Sequence, residues 1–108
     1  DEEQLQIGIK RVPGGRFSNW ANDRLQPGMV IESLPPQGHF TPRIDPGQSK
    51  NYMMIAAGSG ITPILSIIKA VLAREANSRV TLIYGNRRSA SVMFRDDLSF
   101  IKNRYLDR

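Results

Sequence analysis

The stretch from Tyr52 to Ala57, YMMIAA, is a continuous apolar run that stops at Gly58-Ser59-Gly60 and gives way to apolar residues at helical spacing. No other feature narrows the possible folds of the chain as much. An uninterrupted apolar run of strand length predicts a strand buried on both faces. Pro63 falls in the first helical turn, where its missing amide costs nothing. Ile64, Leu65, Ile67, Ile68, Val71 and Leu72 then form one broad buried face, and Asn77-Ser78 ends the helix. Arg79 to Tyr84, RVTLIY, predicts a second buried strand, and Gly85-Asn86 turns the chain. Asp96, Asp97, Leu98, Ile101, Lys102 and Arg104 describe a second amphipathic helix. Its acids come early and its bases late, the order a helix dipole favours. The second half therefore reads as a βαβα unit of a parallel, doubly wound sheet.

The first half has a different character. Gln6 to Val12 and Met29 to Leu34 predict short strands, broken by Pro13-Gly14-Gly15 and by Pro35-Pro36-Gln37-Gly38. Ser18 is placed to cap a short helix reaching about Leu25. Thr41 to Asn51 is rich in proline, glycine and polar residues, with Ile44 its one apolar side chain, and reads as a segment crossing between two domains. The fold class expected is α/β with a β part: antiparallel strands first, then the parallel unit. No internal repeat or low-complexity stretch interrupts this.

Composition excludes several chemistries. The chain has no cysteine, so disulfides, thiolate catalysis and cysteine-ligated zinc or iron–sulfur sites are ruled out within these residues. No metal site is expected. No apolar run approaches the roughly 20 residues of a membrane helix, and no basic-then-apolar leader follows Asp1-Glu2-Glu3-Gln4. A cytoplasmic location with no membrane partner suits these features. The net charge of +5 comes from bases scattered along the chain, with aromatics not interleaved for base stacking, so a nucleic-acid partner is not expected.

Four local motifs carry chemistry. Gly58-Ser59-Gly60-Ile61-Thr62-Pro63, between a strand and a helix, could be an anion site, because glycines let a diphosphate approach the backbone and free helical amides point at it. It could equally be a plain strand-to-helix connection, and it lacks the full glycine fingerprint of dinucleotide folds. Asn86-Arg87-Arg88-Ser89 follows the next strand, where such folds meet the adenosine ribose; two arginines and no acid suit a 2′-phosphate, or else form a solvated basic turn. Gly14-Gly15-Arg16-Phe17-Ser18 precedes a helix and could hold a second diphosphate, or simply be a capped surface helix with Trp20 in the core. Pro36-Gln37-Gly38-His39-Phe40 contains the lone histidine, which has no partner suited to acid–base work.

Taken in order, GGRFSNW, PGMVIESLPPQGHF, MIAAGSGITP and LIYGNRRSASVMFRDDL resemble the ferredoxin-NADP reductase superfamily from about Ile7 onward. The likeness is greatest to the bacterial oxygenase-reductase branch, which includes the reductase components of phenylacetyl-CoA epoxidases and related iron–sulfur flavoproteins. The resemblance implies an internal segment: residues 1–45 as part of an antiparallel FAD-binding barrel and residues 46–108 as part of an NAD(P)-binding domain. It implies that Gly15, Arg16, Phe17 and Ser18 hold the FAD diphosphate, and that Pro36, Gly38 and Phe40 close the flavin barrel. It implies a nicotinamide diphosphate, of NADP or NAD, on Gly58, Ser59, Gly60, Ile61, Thr62 and Pro63, with Thr62 beside the flavin–nicotinamide stack as the catalytic candidate. Asn86, Arg87, Arg88 and Ser89 would face the adenosine ribose. The activity implied is hydride transfer from NAD(P)H to FAD, then electron delivery to an acceptor domain or oxygenase component, with any iron–sulfur cluster outside this chain. A non-catalytic nucleotide- or phosphate-binding module is the alternative. The family's Arg-x-Tyr-Ser/Thr strand and Cys-Gly-Pro-type motif are not among these residues.

Overall fold

The computed structural model describes residues 5–108. The charged opening Asp1-Glu2-Glu3-Gln4, and with it the expectation of no leader, lies outside them. The chain divides into two compact units between His39 and Phe40.

In the second unit, strand β1 (Asn51–Ala57) and strand β2 (Arg79–Gly85) pair in parallel, from Asn51 opposite Arg79 to Ala57 opposite Gly85. Helix α2 (Ile61–Arg74) joins them, and helix α3 (Arg95–Arg104) follows β2. This is the βαβα order expected from the apolar runs. Helix α2 forms because its apolar residues fall on one stripe. Ile61, Ile64, Leu65, Ile68, Val71 and Leu72 are all buried. Most of them cluster with Met54 and Ala56 of β1, and Leu98, Ile101 and Tyr105 pack against that cluster from the α3 side. Helix α3 itself buries no residue completely, and a gap of about 360 Å³ remains between α2, β2 and α3.

Burial on both strand faces, expected from the unbroken apolar run, is not what the structure shows. Met54 and Ala56 are buried, whereas Met53 is 71% and Ile55 68% exposed. Ile83 of β2 is exposed on the same pattern. Successive side chains of a strand point to opposite faces, and a face is buried only where a second layer covers it. Here the core lies on one face of the two-stranded sheet.

The C-terminal end of α2 is fastened by a polar cluster built around Glu75, which is fully buried. Its carboxylate accepts hydrogen bonds from the Ser78 hydroxyl at 2.7 Å, the Tyr52 hydroxyl at 3.0 Å and the Asp45 backbone amide at 3.0 Å. The Ser78 bond is the main reason its pKa lies below the ordinary glutamate value; burial opposes this, while the Asp45 amide, Tyr52 and nearby Lys50 add to it. Tyr52 is shifted up, first by burial and then by its bond to the carboxylate. The Arg108 guanidinium donates to the carbonyls of Leu72, Glu75 and Ala76, a favourable place for a cation at a helix C-terminus. The Arg108 carbonyl accepts from the Val80 amide at 2.7 Å. Residues 41–50, read as a crossing segment, belong to this unit: Ile44 packs on the core and Asp45 is held by Glu75.

The first unit contains helix α1 (Arg16–Arg24) and, among its described residues, no strand. The segments expected as antiparallel strands, 6–12 and 29–34, have no ladder partner. A strand is defined by a neighbour that satisfies its backbone, and these two stretches do not pair with each other. Val30 and Leu34 are accordingly almost fully exposed. Helix α1 starts at Arg16, three residues earlier than a Ser18 cap would place it, and no side chain caps it. Ser18 instead sits in the first turn, its hydroxyl accepting from the Val12 amide at 3.3 Å. Asn22 donates to the carbonyls of Ser18 and Ile9, and Arg11 pairs with Asp23 at 2.6 Å on the surface.

Candidate functional site

Parallel pairing brings the carboxyl ends of β1 and β2 to one edge of the sheet, with Ala57 opposite Gly85. The chain leaves both strands there. In open α/β sheets that edge, where the loops depart, is where ligands settle. The glycine loop and the arginine turn, separate in sequence, are therefore neighbours in space.

The glycine loop is a single 3-10 turn, Gly58–Gly60, leading directly into α2. Gly58 has φ +53°, a left-handed backbone that only glycine adopts without penalty. Its carbonyl accepts from the Ile61 amide inside the turn and from the Tyr84 hydroxyl at 2.9 Å. Thr62 donates its hydroxyl to the Ser59 carbonyl at 3.1 Å, and Ile61 is fully buried, so the helix start is anchored from both sides. Pro63 lies exposed in the first turn. No side chain caps α2 and no acid lies in its first turn, whereas α3 carries Asp96 and Asp97 in its own. An uncapped, acid-free helix start can take an anion. A Cβ built on Gly60 meets nothing within 4 Å, so protein packing does not require glycine there. The space beside Gly60 is open.

At the end of β2, both polar atoms of the Asn86 side chain are buried without a hydrogen-bond partner. Burying an unpaired amide costs free energy, so this side chain is one of the costly features of the turn. Arg87 and Arg88 are exposed, and neither pairs with Asp96 or Asp97. Ser89 begins a second 3-10 turn, Ser89–Ser91, closed by the Ser91 hydroxyl on the Arg88 carbonyl.

The first-unit candidates are less concentrated. Gly15, Arg16, Phe17 and Ser18 do form one helix start, and a Cβ on Gly15 would run into the Ser18 hydroxyl. Trp20 is 43% exposed and stacks at a tilt on Phe17, rather than filling a core. Pro36 and Gly38 lie in an exposed stretch without regular structure, and Phe40, the first residue of the second unit, is exposed as well. His39 is exposed. Among the described residues no three His, Cys, Asp or Glu side chains cluster as metal ligands, and no helix is long and apolar enough to cross a membrane.

Sequence reasoning missed Tyr84, reading it only as the end of a buried strand. Its signal was there: a tyrosine hydroxyl turned into the fold needs a partner, and this one sits where two loops meet.

The profile of the oxidoreductase NAD-binding domain matches residues 54–108. The chain belongs to that family, the nicotinamide-binding domain of the ferredoxin-NADP reductase group. Over 105 residues it is 45% identical to a component of the 1,2-phenylacetyl-CoA epoxidase of Escherichia coli, covering 97% of this chain and 30% of that protein. It is 43% identical over 107 residues to the ferredoxin reductase component of 3-ketosteroid-9-alpha-monooxygenase from Mycobacterium tuberculosis, covering 99% of this chain and 29% of that one. Ferredoxin--NADP reductase B of Sorangium cellulosum is 32% identical over 95 residues, covering 88% of this chain and 38% of that protein. The chain thus spans about a third of the length of these relatives.

Proposed function

We propose that the protein is a flavin-dependent reductase that takes a hydride from NAD(P)H and passes electrons on to an iron–sulfur or oxygenase acceptor. The observation that carries this reading is the pairing, at one sheet edge, of an uncapped glycine-loop helix start with a turn bearing Asn86, Arg87 and Arg88. A dinucleotide is the ligand with an anion at one end of such a span and a ribose at the other. Gly58, Ser59 and Gly60, with the first-turn residues Ile61, Thr62 and Pro63, would take the diphosphate. Asn86, Arg87, Arg88 and Ser89 would lie around the adenosine ribose. Thr62, at the mouth of α2, would orient the nicotinamide.

Residues 1–45 would form part of the FAD domain, its diphosphate on Gly15, Arg16, Phe17 and Ser18 and its barrel closed by Pro36, Gly38 and Phe40. Residues 46–108 would form part of the nicotinamide domain. Antiparallel strands at 6–12 and 29–34 belong to the same proposal, since those stretches become strands only against partners. Bound FAD and NAD(P)H supply the redox chemistry; the protein supplies position and electrostatics, so no acid–base pair is required. A cytoplasmic location is part of this reading, and the relatives named as oxygenase components make an oxygenase system the natural acceptor.

Anaerobic addition of NADPH or NADH to the intact, FAD-loaded protein should bleach the flavin absorption. Absence of bleaching with both cofactors overturns the reading; tight nucleotide binding without bleaching would point to a binding module instead. The arginine turn should favour NADPH, because a guanidinium can grip a 2′-phosphate with two hydrogen bonds. Arg87→Ala or Arg88→Ala should lower kcat/KM for NADPH by roughly tenfold to hundredfold and leave NADH nearly unchanged. Equal effects on both cofactors would make these arginines ordinary surface charge.

A further inference from the structure

We propose that Tyr84 is a positioning residue that fixes the distance between the two loops of the site, so that a dinucleotide spanning both meets a prebuilt frame. The inference rests on the dinucleotide reading above and goes further by naming a residue outside the two loops. The Tyr84 hydroxyl donates to the Gly58 carbonyl at 2.9 Å and accepts from the Met93 amide at 3.2 Å. A phenol has one proton to give, and both its donor and an acceptor position are in use. One oxygen atom therefore joins the first residue of the glycine loop to the far end of the segment that carries Asn86, Arg87 and Arg88.

Both attachment points are places where the backbone needs support. Gly58 is left-handed, with φ +53°. Met93 directly precedes Phe94, whose φ of +57° is unusual for a bulky residue and which leads into α3. The Tyr84 ring packs against the core, half-buried, so its hydroxyl is held in place by packing rather than by the loops it joins. A loop ordered before the ligand arrives does not lose that freedom on binding, which is how preorganisation raises affinity. The predicted effect is on cofactor binding, with no role at the reacting atoms.

The test is Tyr84→Phe, which keeps the ring and removes the oxygen. In the intact, FAD-loaded protein, Kd for NADPH and NADH should both rise by about three- to tenfold, the worth of an ordinary hydrogen bond. The value of kcat at saturation should stay within about twofold, since the interaction lost acts on binding rather than on the chemical step. Binding of 2′-AMP, which would reach the arginine turn alone, should change much less than binding of either dinucleotide. A purely structural role would weaken the mononucleotide equally, and that outcome, or no change in any ligand, overturns the inference. A measurement that needs no variant is amide hydrogen exchange in the wild-type protein. The Met93 amide should be protected, and further protected by NADPH; an unprotected Met93 amide would also overturn it. Failure of the wild-type protein to bind any dinucleotide would overturn the dinucleotide reading itself, and this inference with it.

Discussion

Val30 and Val71 are the same side chain with opposite fates: Val30 is 93% exposed and Val71 wholly buried. Val71 belongs to a helix whose apolar stripe lies on the strand just before it in sequence, so one short segment supplies both halves of the contact. Val30 lies in a stretch equally rich in apolar residues, MVIESL, with no neighbouring strand to close on. Among the described residues of the first unit, Ala21 alone is buried. Burial depends on a facing layer as much as on composition, and a βαβα unit carries much of its own layer where an antiparallel meander needs further strands.

The sharpest way to test that contrast is to delete the same kind of side chain on each side. Ile68→Ala, in the packed stripe of α2, should lower unfolding free energy by about 2–5 kcal/mol in denaturant titrations. Val30→Ala should change it by less than about 0.5 kcal/mol. A comparable loss at Val30 would mean that the first region has its own packed face in solution, and the contrast would fail.

Among the described residues, the two carboxylates with lowered pKa values offer a second comparison, because Glu75 is buried in the second unit and Asp23 lies on the surface of the first. A folded-state pKa below the unfolded one adds stability above the unfolded value and loses it as pH falls through the folded one. Acid titration of the thermal midpoint should therefore show a fall below the ordinary glutamate range that Glu75→Gln removes. If the variant falls along the same curve as the wild type, Glu75 does not govern the acid limb.

A smaller effect is expected in the glycine loop. Gly58→Ala forces a left-handed backbone on a residue with a side chain and should cost about 1–2 kcal/mol. Gly60→Ala, two positions on and with open space around it, should stay within about 0.5 kcal/mol while weakening dinucleotide binding. Equal losses of stability at both glycines would show that Gly60 is packed after all. Smallest of all should be Asp23→Asn. The Arg11–Asp23 contact is short, and the bond to Arg11 keeps the Asp23 pKa low, but both groups are half in water and their attraction is screened. No resolvable change in the midpoint is expected at ordinary salt, and a clear drop would mark the first unit as more tightly held than its exposure implies.

The βαβα order was legible because periodicity and loop glycines are local: the helical stripe from Ile64 to Leu72 and the turn at Gly58-Ser59-Gly60 each state their structure within a few residues. One-sided burial of β1 was not legible, since YMMIAA reads the same whether one face or both are covered. Nor were the strands at 6–12 and 29–34 decidable from their own residues. At the site, the positions of the glycine loop and the arginine turn could be read, but the oxygen bridge through Tyr84 could not. It depends on a contact across 26 residues to Gly58, set by the register of two strands.

The Glu75 cluster has a consequence in time as well as in energy. Its donors come from Asp45, Tyr52 and Ser78, so the carboxylate is satisfied only after the segment before β1, the strand itself and the end of α2 have all docked. Contacts that close across long stretches of chain tend to be completed late, and interactions absent from the folding transition state act on the rate of unfolding. Glu75 should thus behave as a brake on opening: its removal would hasten the unfolding limb of a chevron and leave the refolding limb close to where it was.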